Sequence, residues 1–142
     1  MPITIIPLFL IGIMFISCQN TVTQECAIHN QYWRYRDTLH FKFNIMDTLK
    51  PYNLNIKVEH SNDYLFQNIW LKVRIKNPMD IINTTQINVL LADDVGKWHN
   101  EDIAIIPNIV LQKGIYYIEI VQDMRMDSLT HIKGIIVSFV KT

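Results

Sequence analysis

The stretch from Tyr52 to Lys76 constrains the fold of this chain more than any other. Apolar and polar residues alternate over residues 52–59 and again over residues 69–76. A period of two places one set of side chains on each face of a sheet, so the two apolar sets must be buried together. Between the runs, His60 to Asp63 has the composition of a turn. The sequence therefore predicts a β-hairpin here, in the middle of a β-sandwich.

Other segments continue the strand pattern on both sides of this stretch. Strands are predicted over residues 39–46, 86–92, 103–106, 109–111, 115–122 and 132–140, which are apolar on one face or rich in β-branched residues. Pro107 fits a sheet edge, and residues 123–130 have room for a helical turn. We expect an all-β fold: a single antiparallel β-sandwich of about seven or eight strands over residues 32–142, Ig-like or jelly-roll-like.

The charge balance excludes one class of partner. The chain has 13 Lys and Arg against 13 Asp and Glu, so its formal net charge is zero. Phosphate binding needs a basic face, and the composition therefore argues against a nucleic-acid partner. Apolar residues make up 49% of the chain, which is enough to build a core.

The N-terminus has the pattern of a lipoprotein signal. Residues 3–16 are apolar except for Thr4, and Ser17 and Cys18 follow. Fourteen residues span about 21 Å as a helix, short of the roughly 30 Å hydrocarbon core of a bilayer. We therefore predict a signal peptide over residues 1–17 and lipidation, with palmitate among the acyl chains, at Cys18. The alternatives are an ordinary secretory peptide, or a short membrane anchor in which Cys18 is incidental.

Residues 18–31 are predicted to be an acylated tether, because residues 19–31 show no sustained period. Cys26 would then be the free thiol of the mature chain, either inert or available for an intermolecular disulfide. Both cysteines precede the predicted sandwich, so a disulfide framework is excluded.

The sequence contains no recognisable catalytic motif, and we predict no enzyme activity, no cofactor and no metal site. The acidic residues Asp93, Asp94, Glu101 and Asp102 have the oxygen chemistry for Ca²⁺ but not the spacing of a calcium loop, which favours a solvated loop.

The three tryptophans are candidates for a binding patch. Trp98 is either a platform for stacking on a sugar or a plug at one end of the sandwich. Trp33 lies in the aromatic run of residues 32–35, which either packs at an edge or faces a partner. Trp70 alternates with the apolar residues of its strand and is therefore expected to point outward.

Several segments, in their order and spacing, resemble the GldH-type gliding-motility lipoprotein family of Bacteroidota. They are residues 41–54 (FKFNIMDTLKPYNL), 62–64 with 68–71, 91–98 (LADDVGKW), and 113–116 leading to 123–125. Cys18 and its apolar leader match the lipoprotein start of that family.

The resemblance implies an envelope lipoprotein that serves gliding motility alongside the machinery of type IX protein secretion. It implies no catalytic residues and carries over only Cys18 as a functional position. Acidic residues that direct some such lipoproteins to the cell surface do not follow Cys18. We therefore expect an outer-membrane location facing the periplasm, with other motility and secretion proteins of the envelope as partners. A lipid-anchored module that binds carbohydrate or protein is the alternative.

Overall fold

The computed structural model describes residues 21–93, 95–98, 103–109 and 112–142, and their regular structure is almost entirely β. These residues form ten strands and one short 3-10 turn, His29–Gln31. The strands are β1 Thr21–Ala27, β2 Tyr32–Arg34, β3 Leu39–Ile45, β4 Tyr52–His60, β5 Asn68–Lys76, β6 Ile82–Leu90, β7 Ile103–Ile106, β8 Gly114–Gln122, β9 Ser128–Thr130 and β10 Ile132–Lys141. The predicted all-β class is confirmed.

Two four-stranded antiparallel sheets form the sandwich. The first sheet has the strand order β1-β10-β4-β7, and the second has the order β3-β8-β5-β6. A two-stranded ribbon, β2-β9, accompanies them. Strand β7, which runs up to Pro107, lies at an edge as predicted.

The core lies between the two sheets because each long strand buries its alternate residues. In β3 the four predicted inward residues, Leu39 to Ile45, are all buried, and the residues between them are exposed. Phe139 of the first sheet meets Phe43 of the second edge to face, with ring centroids 4.8 Å apart. Aromatic contacts therefore join the two sheets at the centre of the molecule.

The predicted hairpin over residues 52–76 is wrong in its pairing. Both strands exist, but β4 belongs to the first sheet and β5 to the second, so they do not pair with each other. The chain crosses between the layers through residues 61–67, where buried Tyr64 donates a hydrogen bond to the Asn68 carbonyl at 3.0 Å. Alternation shows that two apolar faces must be buried together, but they can meet across the core as well as side by side.

The predicted tether is wrong for residues 21–27, which form β1. This strand pairs with β10 along its whole length, from Thr21 opposite Val140 to Ala27 opposite Gly134. Its half-buried positions include the polar Gln24, which breaks the apolar alternation that would have revealed a strand. Cys26 is also half-buried on β1 and packs against the core.

Gln24 links the edges of the two sheets. Its side-chain amide donates to the Lys42 carbonyl and accepts from the Lys42 amide N–H at 3.0 Å. Lys42 lies on β3, the edge strand of the second sheet, so one glutamine satisfies two main-chain groups of an open edge.

We expect Gln24→Ala to lower the free energy of unfolding by about 1–2 kcal/mol, because two main-chain groups lose their partner. Urea denaturation of the purified protein measures the change. Thr21→Ala, at an exposed position of the same strand, is the control and should change stability by no more than about 0.5 kcal/mol. Equal effects of the two substitutions would show that Gln24 does not hold the sheet edges together.

The segment over residues 123–130 contains strand β9 rather than the helical turn suggested by the sequence. Gln122 is almost fully buried, and its amide organises the turn before β9. It donates to the Met126 carbonyl and accepts from the Met124 N–H, both at 2.9 Å. A buried amide with both ends paired fixes this turn in an irregular conformation.

The end of the sandwich at which β1 begins is named here the Thr21 end. It comprises the loop 46–51, the turn 77–81, residues 107–109 with 112–113, and the C-terminal residues 141–142. Hydrogen bonds tie these segments together: the Thr142 N–H donates to the Pro51 carbonyl at 3.1 Å, and the Ile109 N–H donates to the Tyr52 carbonyl at 2.8 Å. Lys141 Nζ lies 2.6 Å from the Asp47 carboxylate.

The hydrogen bond from Lys141, followed by that from the Leu49 N–H, holds the pKa of Asp47 below its usual range. A carboxyl whose pKa is lower in the folded than in the unfolded state stabilises the fold above the unfolded pKa, about 3.9. That stabilisation disappears as the pH falls through the folded value. We therefore expect Asp47→Asn to be less stable than the wild type at neutral pH, and we expect this difference in stability to shrink as the pH falls through the folded pKa of Asp47. Urea denaturation of both proteins between neutral and acidic pH checks this expectation. A difference in the free energy of unfolding that does not change with pH would contradict it.

Candidate functional site

The outer face of the second sheet carries the clearest charge asymmetry among the described residues. Alternation in β3 and β5 points four basic side chains outward from this sheet. They are Lys42, Lys72, Arg74 and Lys76. Glu119 of β8 lies opposite both His40 and Arg74, and Asp80 lies 3.3 Å from Lys76 Nζ. A neutral chain therefore presents a locally cationic face.

One row across this face places an aromatic ring between two lysines. The strand register sets Tyr117 opposite both Lys42 and Lys76, and Ile82 follows Lys76 on the edge strand. The Nζ atoms of Lys42 and Lys76 lie 5.9 Å and 5.7 Å from the Tyr117 ring centroid. Both distances are within the range of a cation–π contact.

In the neighbouring row, Glu119 lies between the Arg74 guanidinium and the His40 imidazole. Arg74 lies 3.5 Å from one Glu119 oxygen, and His40 Nδ1 lies 3.8 Å from the other. These groups are substantially exposed, so the pairs contribute little stability and leave the guanidinium accessible. A groove of about 700 Å³ runs over the two rows. Its lining includes His40, Lys42, Arg74, Lys76 and Tyr117, and an adjoining groove of about 480 Å³ continues to Lys72.

The first sheet differs in the charge of its exposed side. There, Lys57 and Glu59 of β4 and Glu25 of β1 mix the two signs. An anionic group would therefore be attracted more strongly to the second sheet than to the first. The alternation over residues 69–76 predicts that one side of this strand is polar. The signal was present in Lys72, Arg74 and Lys76, but only the register brings Lys42 and Tyr117 to them.

Cys18, the predicted lipidation site, lies outside the described residues. Two residues separate it from Thr21, the first residue of β1. Within the described part of the chain, no helix is long and apolar enough to span a bilayer.

Trp33 is fully buried, and its indole N–H donates to the Asp37 carbonyl at 2.8 Å. Of the two alternatives for the aromatic run 32–35, edge packing fits Trp33, because strand β2 of the ribbon places this ring in the core. The neighbouring Tyr32 and Tyr35 are exposed. A ring with no accessible surface cannot take part in a binding patch on this face of the molecule.

Trp98 is half-buried and packs against the core. Its ring lies 4.8 Å from that of His60, centroid to centroid, at the end of the sandwich opposite the Thr21 end. Of the two interpretations of Trp98, a plug at one end of the sandwich fits this packing.

Trp70 lies on the outer face of the second sheet and is 38% exposed. Beside it, a surface groove of about 480 Å³ is lined by Asn68, Gln86, Asp123 and Arg125. Because Trp33 lies in the core and Trp98 at one end, the three tryptophans do not form a single patch. Trp70 is the one of the three placed beside the cationic face.

The acidic group near Trp98 is described at one position, since Asp94, Glu101 and Asp102 lie outside the described residues. Asp93 Oδ1 accepts hydrogen bonds from the Val95 N–H at 3.1 Å and the Lys97 N–H at 2.8 Å. This carboxylate fixes the predicted turn, in which Gly96 has the expected positive φ of 81°. No group of three or more potential metal-ligating side chains occurs within the described ranges.

The model of one protein family, the GldH lipoprotein, matches residues 20–137. The matched segment runs from just before β1 into β10 and includes both sheets. Among curated proteins, none matches the chain. The match covers well over half of the sequence and agrees with the resemblance carried by the segments between residues 41 and 125, while Cys18 lies outside it. The chain therefore belongs to the GldH lipoprotein family.

Proposed function

We propose that this protein is a non-enzymatic accessory component of the gliding-motility machinery, working beside type IX secretion. Acyl chains on Cys18 hold it in the outer membrane, facing the periplasm. The observation that carries the proposal is membership of the GldH lipoprotein family over residues 20–137.

The proposed lipid anchor determines how strongly the domain must bind its partners. A single acyl chain binds a membrane only marginally, whereas the several chains of a bacterial lipoprotein retain it firmly. A protein confined to a membrane meets other membrane-bound proteins at high effective concentration, so a weak interface is sufficient. The cationic face of the second sheet is the interface that we propose for an acidic surface on a partner of the machinery.

The geometry of that face suits binding. The basic groups lie spread over three rows of the sheet, with Lys72 opposite Val121 in the third, and the Tyr117 ring between two lysines adds apolar area. Charge complementarity on such a surface attracts an anionic partner and determines the position in which it docks.

Gliding of a deletion strain complemented with variants tests the proposal. We expect the wild type to restore movement and the double variant Lys42→Glu/Lys72→Glu to restore little, because it reverses the charge of the cationic face. The matched control is Lys57→Glu/Lys133→Glu on the first sheet, which changes the net charge equally and should restore movement. Membrane fractions must contain equal amounts of all three proteins. Full movement with the second-sheet variant would remove that face from the interaction, and full movement of the deletion strain itself would remove the protein from gliding.

A lipid-anchored module that binds acidic carbohydrate is the second candidate. The exposed Trp70 beside the cationic face favours it, because indole rings stack on sugars and basic groups pair with carboxylates. Titration with alginate should shift the tryptophan emission of the wild type but not that of Trp70→Phe. Absence of a shift in the wild type would rule out alginate-type polysaccharides as ligands.

A further inference from the structure

The loops of the Thr21 end expose large apolar side chains. Leu49 is 93% exposed and Met79 is 64% exposed, and both lie at the tips of connections between strands. Met46 and Ile81, in the same two connections, are also more than half exposed. Exposed apolar side chains at loop tips cost free energy in water unless another surface covers them.

These tips lie at the same end as the start of β1. The register places Thr21 opposite Val140 and Lys141 opposite Tyr52, so β1 and β4 begin at this end. Ile45 lies opposite Gly114, which brings the exit of β3 to the same end. Pro78 lies beside Gly114, since a Cβ at position 114 would meet it at 2.8 Å, and Gln112 Nε2 lies 2.8 Å from Met79 Sδ. The loop 46–51 and the turn 77–81 therefore share one end of the sandwich.

The distance along the chain from Cys18 to this end is short. Three Cα–Cα steps separate Cys18 from Thr21, and steps of 3.8 Å limit the reach to about 11 Å. The headgroup region on each side of a bilayer is roughly 5–8 Å thick. An acylated Cys18 would therefore hold the Thr21 end at the lipid surface. The tether of residues 18–31 predicted from the sequence would have allowed any orientation, but β1 removes most of it.

The charges at this end suit anionic headgroups. Lys50 and Lys113 are exposed beside the apolar tips. Of the nearby carboxylates, Asp47 is paired with Lys141, and Asp80 lies 3.3 Å from Lys76 Nζ. Apolar side chains flanked by lysines are the composition of surfaces that bind at the membrane interface.

We propose that the Thr21 end rests on the lipid surface, with Leu49 and Met79 in the headgroup region and Lys50 and Lys113 against lipid phosphates. This inference rests on the proposed lipidation of Cys18. It fixes the orientation of the domain: the strands stand away from the membrane, and the cationic face of the second sheet is turned sideways, towards neighbouring membrane proteins.

Site-specific fluorescence on the full acylated protein tests this orientation. Leu49→Cys is combined with Cys26→Ser, so that one thiol takes an environment-sensitive NBD probe. The protein is reconstituted into vesicles of phosphatidylethanolamine and phosphatidylglycerol containing a spin-labelled quencher lipid. The matched control is Leu65→Cys in the same background, because Leu65 is 78% exposed on the connection at the opposite end.

We expect the probe at position 49 to shift to the blue and lose emission to the quencher, and the probe at position 65 to do neither. Equal, water-like emission at both positions in protein that floats with the vesicles would overturn the orientation but leave the anchor intact. Protein that fails to float would overturn the proposed lipidation, and the orientation with it. The two failures are therefore distinguishable in one preparation.

Discussion

Replacing Phe139 with alanine should lower the free energy of unfolding by about 3–5 kcal/mol, the usual cost of removing a buried aromatic ring. Phe139 is fully buried between the sheets. Its ring meets Phe43 at 4.8 Å, Tyr116 at 5.7 Å and Tyr52 at 6.2 Å between centroids. The substitution would leave a cavity at the place where the two sheets contact each other. The close packing of the neighbouring strands limits how far this cavity can collapse.

Urea denaturation followed by circular dichroism measures this loss. The control is Val140→Ala, the next residue of β10, which is half-buried and outside the buried set that forms the core. It should cost less than about 1 kcal/mol. Similar losses for the two substitutions would mean that Phe139 is not the centre of the core.

Gly114→Ala should lower the free energy of unfolding by about 3 kcal/mol, combining backbone strain and a steric clash. Gly114 has a φ of 133°, a region that residues with a Cβ rarely enter. A Cβ at this position would lie 2.8 Å from two carbons of Pro78, so the turn 77–81 would have to move.

Gly96→Ala separates the two causes. Gly96 also has a positive φ, 81°, but a Cβ there would meet nothing within 4 Å. Its substitution should cost about 1–2 kcal/mol, from strain alone. The measurement is again the urea midpoint. A smaller loss at position 114 than at position 96 would contradict the close packing of Pro78 on Gly114.

Local sequence pattern predicted the strands well where one face is uniformly apolar. Residues 39–45, 52–59 and 69–76 alternate strictly, and their inward residues are buried in the structure. Strand pairing could not be predicted in the same way. Strand β4 pairs with β10, which lies more than seventy residues further along the chain, and nothing local to β4 specifies this choice. The polar Gln24 concealed β1 because its role, bonding the Lys42 main chain, appears only once β3 is in place.

The candidate surfaces, like the sheets, could not be predicted without knowing which strands pair. The sequence shows Lys72, Arg74 and Lys76 on one side of a strand, but the register adds Lys42 and Tyr117 to them. Trp33 and Trp70 are the same residue type, yet Trp33 lies in the core and Trp70 is exposed. The apolar tips at Leu49 and Met79 became a candidate surface only because the register places them at the end where β1 begins, three residues after Cys18 in the sequence.

We propose that the domain is anchored through lipid on Cys18. Mass spectrometry of the mature protein extracted from membranes tests it most directly. We predict a chain that begins at Cys18, with a mass increased by a diacylglyceryl group and a further acyl chain, and a Cys18→Ser variant that is absent from the lipid-anchored fraction. An unmodified residue 18 in protein that remains in the membrane would contradict the account.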